Sequence, residues 1–224
     1  MIYVMSDLHG KFDKFIEMLK IIDFSQTDTL YILGDILDRG PDSIKIIDYI
    51  RKPENNNIHL ILGNHELLFI MSRIDNQYFP AWINNGGNAT YLELDEKGEE
   101  YQQELFEYLM ALPIYKVIDK FILVHAGINI PENAEELTVE ELMNSQDQDS
   151  LLWSRSFINS DAQFKDFTVI CGHTPTVNYM TDNKKAKILY SQGKIMIDCG
   201  AYFTDSNGRL GCLRLDDLEE FYVN

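Results

Sequence analysis

The chain has 224 residues, 45% hydrophobic and 25% charged, the make-up of a soluble globular protein long enough to bury a core. Its formal net charge of −17 is far from ordinary. So acidic a surface repels nucleic-acid backbones, whose affinity rests on Lys and Arg displacing counterions, and this excludes nucleic acid as the main partner.

The first apolar run, Ile2 to Met5, reads as a short strand leading straight into Ser6-Asp7-Leu8-His9-Gly10. It has neither the basic stretch nor the long apolar run of a signal peptide. Phe12, Phe15, Ile16, Leu19 and Ile22 then recur at three-four spacing and predict an amphipathic helix. A second strand, Thr29 to Leu33, ends in the stretch GDILDRG from Gly34 to Gly40. Ile44, Ile47 and Ile50 predict a second helix, with Pro41 in its first turn and Ser43 near its start. The third strand, Ile58 to Leu62, ends in GNHE, Gly63 to Glu66. From Asp75 to Tyr115 the pattern is mostly helical, broken by an NGG turn at Asn85 to Gly87 and closed by Pro113.

In the second half, Phe121 to Val124 runs into His125-Ala126-Gly127, and Thr168 to Cys171 runs into Gly172-His173-Thr174-Pro175. Between them, residues 131 to 149 are acidic and polar and predict a surface loop with a short helix. Ile195 to Asp198 and Leu210 to Leu215 are the last strands, and turns such as Ser206-Asn207-Gly208 suggest hairpins. Strand-helix alternation early in the chain predicts parallel β-α-β units. With no repeat and no linker, residues 1–224 read as a single domain. No apolar run approaches the roughly 20 residues of a membrane helix, so no membrane partner is expected. Cys171, Cys199 and Cys212 lack C-x-x-C spacing and read as buried thiols, which points to a cytoplasmic setting.

Five glycine-flanked motifs thus sit at strand ends, and four of the five histidines lie in them. Carboxylate, imidazole and amide oxygens gathered at strand ends suit divalent cations. If the chain stays extended, Asp7 and His9 lie one strand period apart and point the same way. The two oxygens of Asp35 allow it to bridge two metals. Arg39 offers a fork of donors suited to phosphate. Asn64 offers a neutral carbonyl oxygen, while its neighbour His65 points elsewhere and suits general acid catalysis, oriented by a carboxylate such as Asp38.

Taken in order, the motifs resemble those of the phosphoprotein phosphatase (PPP) family of metallophosphoesterases, and within it the small bacterial and phage lambda-type phosphatases. The resemblance runs from Asp7 to about Phe203, with weaker patches at Trp82 to Gly87, Trp153 to Arg155 and Asp198 to Ala201. It implies an α/β fold, a four-layer α/β/β/α calcineurin-like sandwich with two mixed sheets. It also implies a first metal on Asp7, His9 and Asp35, with Asp35 bridging to a second metal completed by Asn64, His125 and His173. His65 would be the general acid, paired with Asp38, and Arg39 and Arg155 would grip the phosphate. The two divalent cations are expected to be manganese, with iron, zinc and cobalt also suited to such ligands. The implied activity is phosphomonoester hydrolysis by a dimetal-activated water, in a protein serine/threonine phosphatase acting as a monomer or weak oligomer. Its substrate is a phosphorylated protein or small phosphoester.

Two alternatives stand beside it. Symmetrical dinucleoside polyphosphate hydrolases share most of the motifs, but typically read GNHD in the third and lack the acid before Arg-Gly in the second. Glu66 and Asp38 therefore favour the protein phosphatase. A non-catalytic binding module would be expected to lose ligands or the acid, and here every position is filled. Ser6 replaces the usual first-motif glycine. Tyr202 is nearest to a late tyrosine of eukaryotic relatives, but its surroundings do not match and it takes no role.

Overall fold

The computed structural model describes residues 1–180, 184–203 and 207–224. Among these, ten strands form two mixed five-stranded sheets. In the first, β1 (Ile2–Met5), β2 (Thr29–Ile32) and β3 (Ile58–Leu60) run parallel. The antiparallel pair β9 (Leu210–Arg214) and β10 (Glu220–Val223) extends it, giving the order β10-β9-β1-β2-β3. In the second, β5 (Phe121–Val124), β6 (Thr168–Cys171) and β8 (Lys194–Met196) run parallel. Antiparallel β4 (Tyr115–Ile118) and β7 (Leu189–Ser191) close its two edges.

Alternate side chains of the central strands go to different places, and both places are apolar. Val4, Leu33 and Ile61 of the first sheet meet Leu123, Ile170 and Ile195 of the second in a shared buried layer. Met5, Ile32, Ile122 and Val169 turn the other way, into the larger core that the helices cover. Burying each such side chain stabilises the fold by about 1.5–3 kcal/mol. The result is four layers, helix, sheet, sheet and helix.

Helix α1 (Phe12–Ile21) buries Phe15, Met18 and Leu19, and α2 (Ser43–Ile50) buries Ile44, Ile46, Ile47 and Ile50. Pro41 precedes α2 rather than opening it, because Asp42 occupies the N-cap position. The central helical region starts earlier than expected: α3 (Asn64–Ile74) begins at the GNHE motif itself. α4 (Phe79–Trp82), a wide turn over Ile83–Gly87, α5 (Asn88–Lys97) and α6 (Glu99–Met110) follow. α7 (Val139–Asn144) starts at a Thr138–Glu141 capping box, and α8 (Gln148–Trp153) starts at an Asp147 cap.

Three edge strands, β4, β7 and β10, escape the sequence pattern. The expected late hairpin is also corrected. The chain between β8 and β9 crosses from the second sheet to the first, and Ser206 of the suggested turn lies outside the described residues. The antiparallel neighbours are instead β7 with β8 and β9 with β10. All three cysteines are buried and free, and burial pushes the Cys171 and Cys199 thiols up to about 12. Among the described residues, no helix is long and apolar enough to cross a membrane.

Candidate metal and phosphate site

The candidate residues leave the C-terminal ends of β1, β2, β3, β5 and β6, where the backbone turns sharply. Asp7, His9, Asp35, Asp38, Arg39 and His173 all have positive φ, between 41° and 71°. Side chains with a Cβ adopt such backbone rarely, and surrounding contacts must hold it. Asp7 and His9 therefore do not continue the strand in extended form, as the sequence suggested. Instead Asp7 N donates to Gly34 O at 3.2 Å and His9 N to Asp35 O at 2.9 Å, docking the first motif on the second. Gly172 is required by proximity: a Cβ there would fall 2.2 Å from Asp7 Oδ2.

Glu66 holds the second motif. Its Oε2 accepts from the backbone N–H of Asp35 at 2.8 Å and of Gly63 at 3.0 Å. Its Oε1 accepts from Ile36 at 2.9 Å and Leu37 at 3.0 Å. The side chain is fully buried. One carboxylate thus organises the loop bearing Asp35 and Asp38, and it is shut off from solvent.

Two groups of three side chains, among the described residues, have ligand atoms within 4.8 Å of one another: His9, Asp35 and His65, and Asp35, His125 and His173. Asp35 belongs to both, the position a bridging ligand needs. Asn64 Oδ1 lies 2.8 Å from both His125 Nε2 and His173 Nδ1. His125 Nδ1 faces Leu33 O at 2.6 Å and must donate to it, so Nε2 turns a lone pair toward the Asn64 oxygen. In the neutral ring these are two facing acceptors, an arrangement that a cation would satisfy. His9 is fixed likewise, with Nδ1 donating to Leu37 O at 2.8 Å and Nε2 facing the site. The donor set fits divalent cations. Asp7 Oδ2 accepts from His173 N at 3.0 Å, which sets Asp7 against the second group although it is a member of neither.

Protonation agrees with this fit. Burial, then the charges of His65 and Arg39, hold His9 well below the ordinary imidazole range. Burial, then His125 and Arg155, lower His173 to about 2. Both rings therefore keep lone pairs free for a metal. Burial raises Asp35 well above the carboxylate range, with the Asp7 and Glu66 charges adding to it against the opposing His65. Asp198, just past β8, is raised by burial and by Asp7. Cations would relieve these crowded acids. Asp198 was legible only as part of a short patch; nothing in its own spacing marked it.

His65 is a different case. Its Nδ1 donates to Asp38 Oδ2 at 2.7 Å. Burial works to lower its pKa, but Asp35 and Asp38 outweigh that and raise it. Arg39 does not reach outward: NH1 lies 2.6 Å from His9 Nε2 and NH2 lies 2.9 Å from His65 Nε2. Arg155 is exposed, has no ion-pair partner among the described residues, and stands near enough to His173 to lower its pKa. Tyr202, which took no role from sequence, has its ring 6.3 Å from that of His9 and under Lys11 Nζ at 5.1 Å.

Comparison with known proteins follows the same lines. The family described as calcineurin-like phosphoesterase matches residues 1–199. The symmetrical bis(5'-nucleosyl)-tetraphosphatase of Salmonella paratyphi B is 32% identical over 129 residues, 56% of this chain and 43% of that protein. The match thus spans less than half the length of that curated relative. Among solved structures, a candidate diadenosine tetraphosphatase superposes with TM-score 0.68 at 18% identity, covering 99% of this chain and 92% of that one. A cold-active protein tyrosine phosphatase gives TM-score 0.63 at 18% identity, covering 100% and 78%. At such identity these two structures speak to the fold alone.

Proposed function

The chain belongs to the calcineurin-like phosphoesterase family, and on that footing we propose that it hydrolyses phosphoesters at a two-metal centre. Asp7, His9, Asp35, Asn64, His125 and His173 would hold the cations. The observation that carries this reading is Asp35 standing in both ligand clusters. When bound, the divalent pair supplies positive charge for the phosphoryl oxygens and activates water as the nucleophile.

The protein's own groups do the rest. Leu37 O and Leu33 O fix the tautomers of His9 and His125 so that each presents Nε2. Asp38 keeps the Nδ1 proton of His65 engaged, leaving Nε2 to hand a proton to the departing oxygen. Arg39 and Arg155 bring guanidinium donors to the phosphate oxygens, where negative charge develops. For this Arg39 must let go of the His9 and His65 nitrogens.

For the substrate we infer a dinucleoside polyphosphate of the diadenosine tetraphosphate type. The support is the 32% identity to a symmetrical bis(5'-nucleosyl)-tetraphosphatase across the half of the chain it matches. The sequence-based expectation of a protein serine/threonine phosphatase has less behind it. Glu66, one of the two residues favouring it, is fully buried and engaged by four backbone N–H groups. That second reading keeps one specific observation, Asp38 bonded to His65. An assisted acid matters most for a poor alkoxide leaving group such as serine, and least for a nucleotide.

The deciding assay is kcat/KM of Mn²⁺-loaded protein on diadenosine tetraphosphate, a phosphoserine peptide and an aryl phosphate. A preference for the tetraphosphate over the peptide of about tenfold or more supports the first reading. The reverse preference establishes the second, and no turnover of any of the three removes both.

A further inference from the structure

Asp38 is gripped by more than His65. Trp82 Nε1 donates to both of its oxygens, at 3.0 Å to Oδ1 and 3.1 Å to Oδ2. Thr90 Oγ1 donates to Oδ1 at 2.8 Å and accepts from the Asp38 backbone N–H, also at 2.8 Å. His65 Nδ1 takes the remaining direction on Oδ2. All four residues are buried: Asp38 and Thr90 fully, His65 to 1% exposure and Trp82 to 2%.

The segment that delivers these donors is shaped for the task. Trp82 ends α4 and Thr90 lies in α5, on either side of the turn Ile83–Gly87. Phe69 and Phe79 meet the Trp82 ring edge-on, at 5.4 and 5.9 Å between centroids. A Cβ at Gly87 would fall 2.5 Å from Trp82 Nε1, so only glycine lets the indole N–H reach past the backbone. Gly86 O, in the same turn, accepts from the backbone N–H of Arg39 at 2.9 Å. The turn and the two residues flanking it therefore grip both members of the Asp38-Arg39 pair.

We propose that Trp82 and Thr90 are positioning residues that lock the Asp38 carboxylate, and through it the orientation of the His65 ring toward the leaving-group oxygen. An unclamped Asp38 rotates about its side-chain bonds and lets the imidazole swing with it. Two buried donors, the Trp82 indole and the Thr90 hydroxyl, leave it one arrangement, in which a lone pair meets His65 Nδ1. The proposal rests on the reading of His65 as general acid. Its experiment separates failure of that reading from failure of the clamp.

The test is a series of phosphate monoesters, from 2,4-dinitrophenyl phosphate to a simple alkyl phosphate, turned over by Mn²⁺-loaded protein. Trp82→Phe and Thr90→Val should each lower kcat for the alkyl ester by about 10- to 100-fold and change it by under about threefold for the dinitrophenyl ester. KM and bound manganese per chain should hold. Thr90→Ser, which restores the hydroxyl, should recover most of the loss, and melting curves identify any variant that has merely unfolded. Equal loss for every leaving group, or no loss in the folded variants, overturns the clamp. His65→Asn is the control. If it shows leaving-group dependence and the clamp variants do not, the acid stands and the clamp falls. If its own loss is independent of leaving group, the acid reading fails and the clamp fails with it.

Discussion

Replacing Glu66 with Gln should destabilise the whole protein, although it removes no bulk. Each Glu66 oxygen accepts two backbone N–H groups, Ile36 and Leu37 on one and Asp35 and Gly63 on the other. A glutamine amide has one acceptor oxygen and one donor nitrogen. Whichever way it turns, two buried N–H groups lose their acceptor and face a donor. Hydrogen bonds to charged groups contribute about 1.5–3 kcal/mol each, so the two lost bonds amount to about 3–6 kcal/mol. For a chain of this size each kcal/mol shifts Tm by about 2–4 °C, so melting should fall by about 6–24 °C. The measurement is thermal and urea unfolding of parent and variant at matched metal concentration. Glu66→Asp, which keeps the charge on a shorter stem, should fall between them. A loss below about 1 kcal/mol would refute the claim that this carboxylate organises the second motif.

Other changes have equally definite outcomes. Asp35→Asn should lower occupancy of both cations together in elemental analysis, and one fully retained metal would contradict the shared position. Arg39→Ala should tighten divalent-cation binding in titrations without phosphate, because its guanidinium lies 2.6 Å from the His9 Nε2 lone pair, while KM for the phosphoester rises. Unchanged metal affinity would show that the two do not compete. Glu93 in α5 accepts from Ser43 N and Ile44 N, and burial pushes its carboxyl from 4.5 up to about 7. The folded state then keeps a proton that the unfolded chain has lost, so stability should fall as pH rises from about 4.5 to 7 and level off above. Glu93→Gln should flatten that part of a pH series of unfolding curves, and an unchanged slope would rule Glu93 out.

Much of the candidate site was legible because its residues sit where apolar strands stop. Asp35, Asn64 and His173 each follow such a run directly after a glycine, and Asp7 and His125 follow one with a glycine two or three residues on; these residue types suit divalent cations. The strands β1, β5 and β6 were legible for the same reason, since burial on both faces makes them nearly continuously apolar, and β2 showed through buried Leu30 and Ile32. The edge strands β4, β7 and β10 were not: Tyr115–Ile118 and Leu189–Ser191 are only partly buried and carry no clean period. Backbone conformation was hidden as well, so Asp7 and His9 read as extended when positive φ turns them. Contacts across long sequence separations stayed hidden for a further reason. Nothing local to Trp82 or Thr90 announces Asp38, which lies 44 and 52 residues away. Glu66 looked like a marker of substrate type because sequence shows identity and not direction. Its four backbone partners give it a structural task instead.

The pairing of β1 with β9 joins Met5 to Cys212, and the site above it is stitched over similar spans. His173 meets Asp7 across 166 residues and Asn64 across 109. Closing such long loops is entropically unfavourable until both sheets have met. The strands of the first half can pair early, in the parallel order β1-β2-β3, but they gather only part of the ligands. His125 and His173 arrive with the second sheet, and the flank of β1 is covered by β9, which follows that sheet in the chain. During synthesis, the two candidate ligand clusters can therefore come together only once the second sheet has joined the first, and a nascent chain bearing β1 to β3 alone holds only part of them.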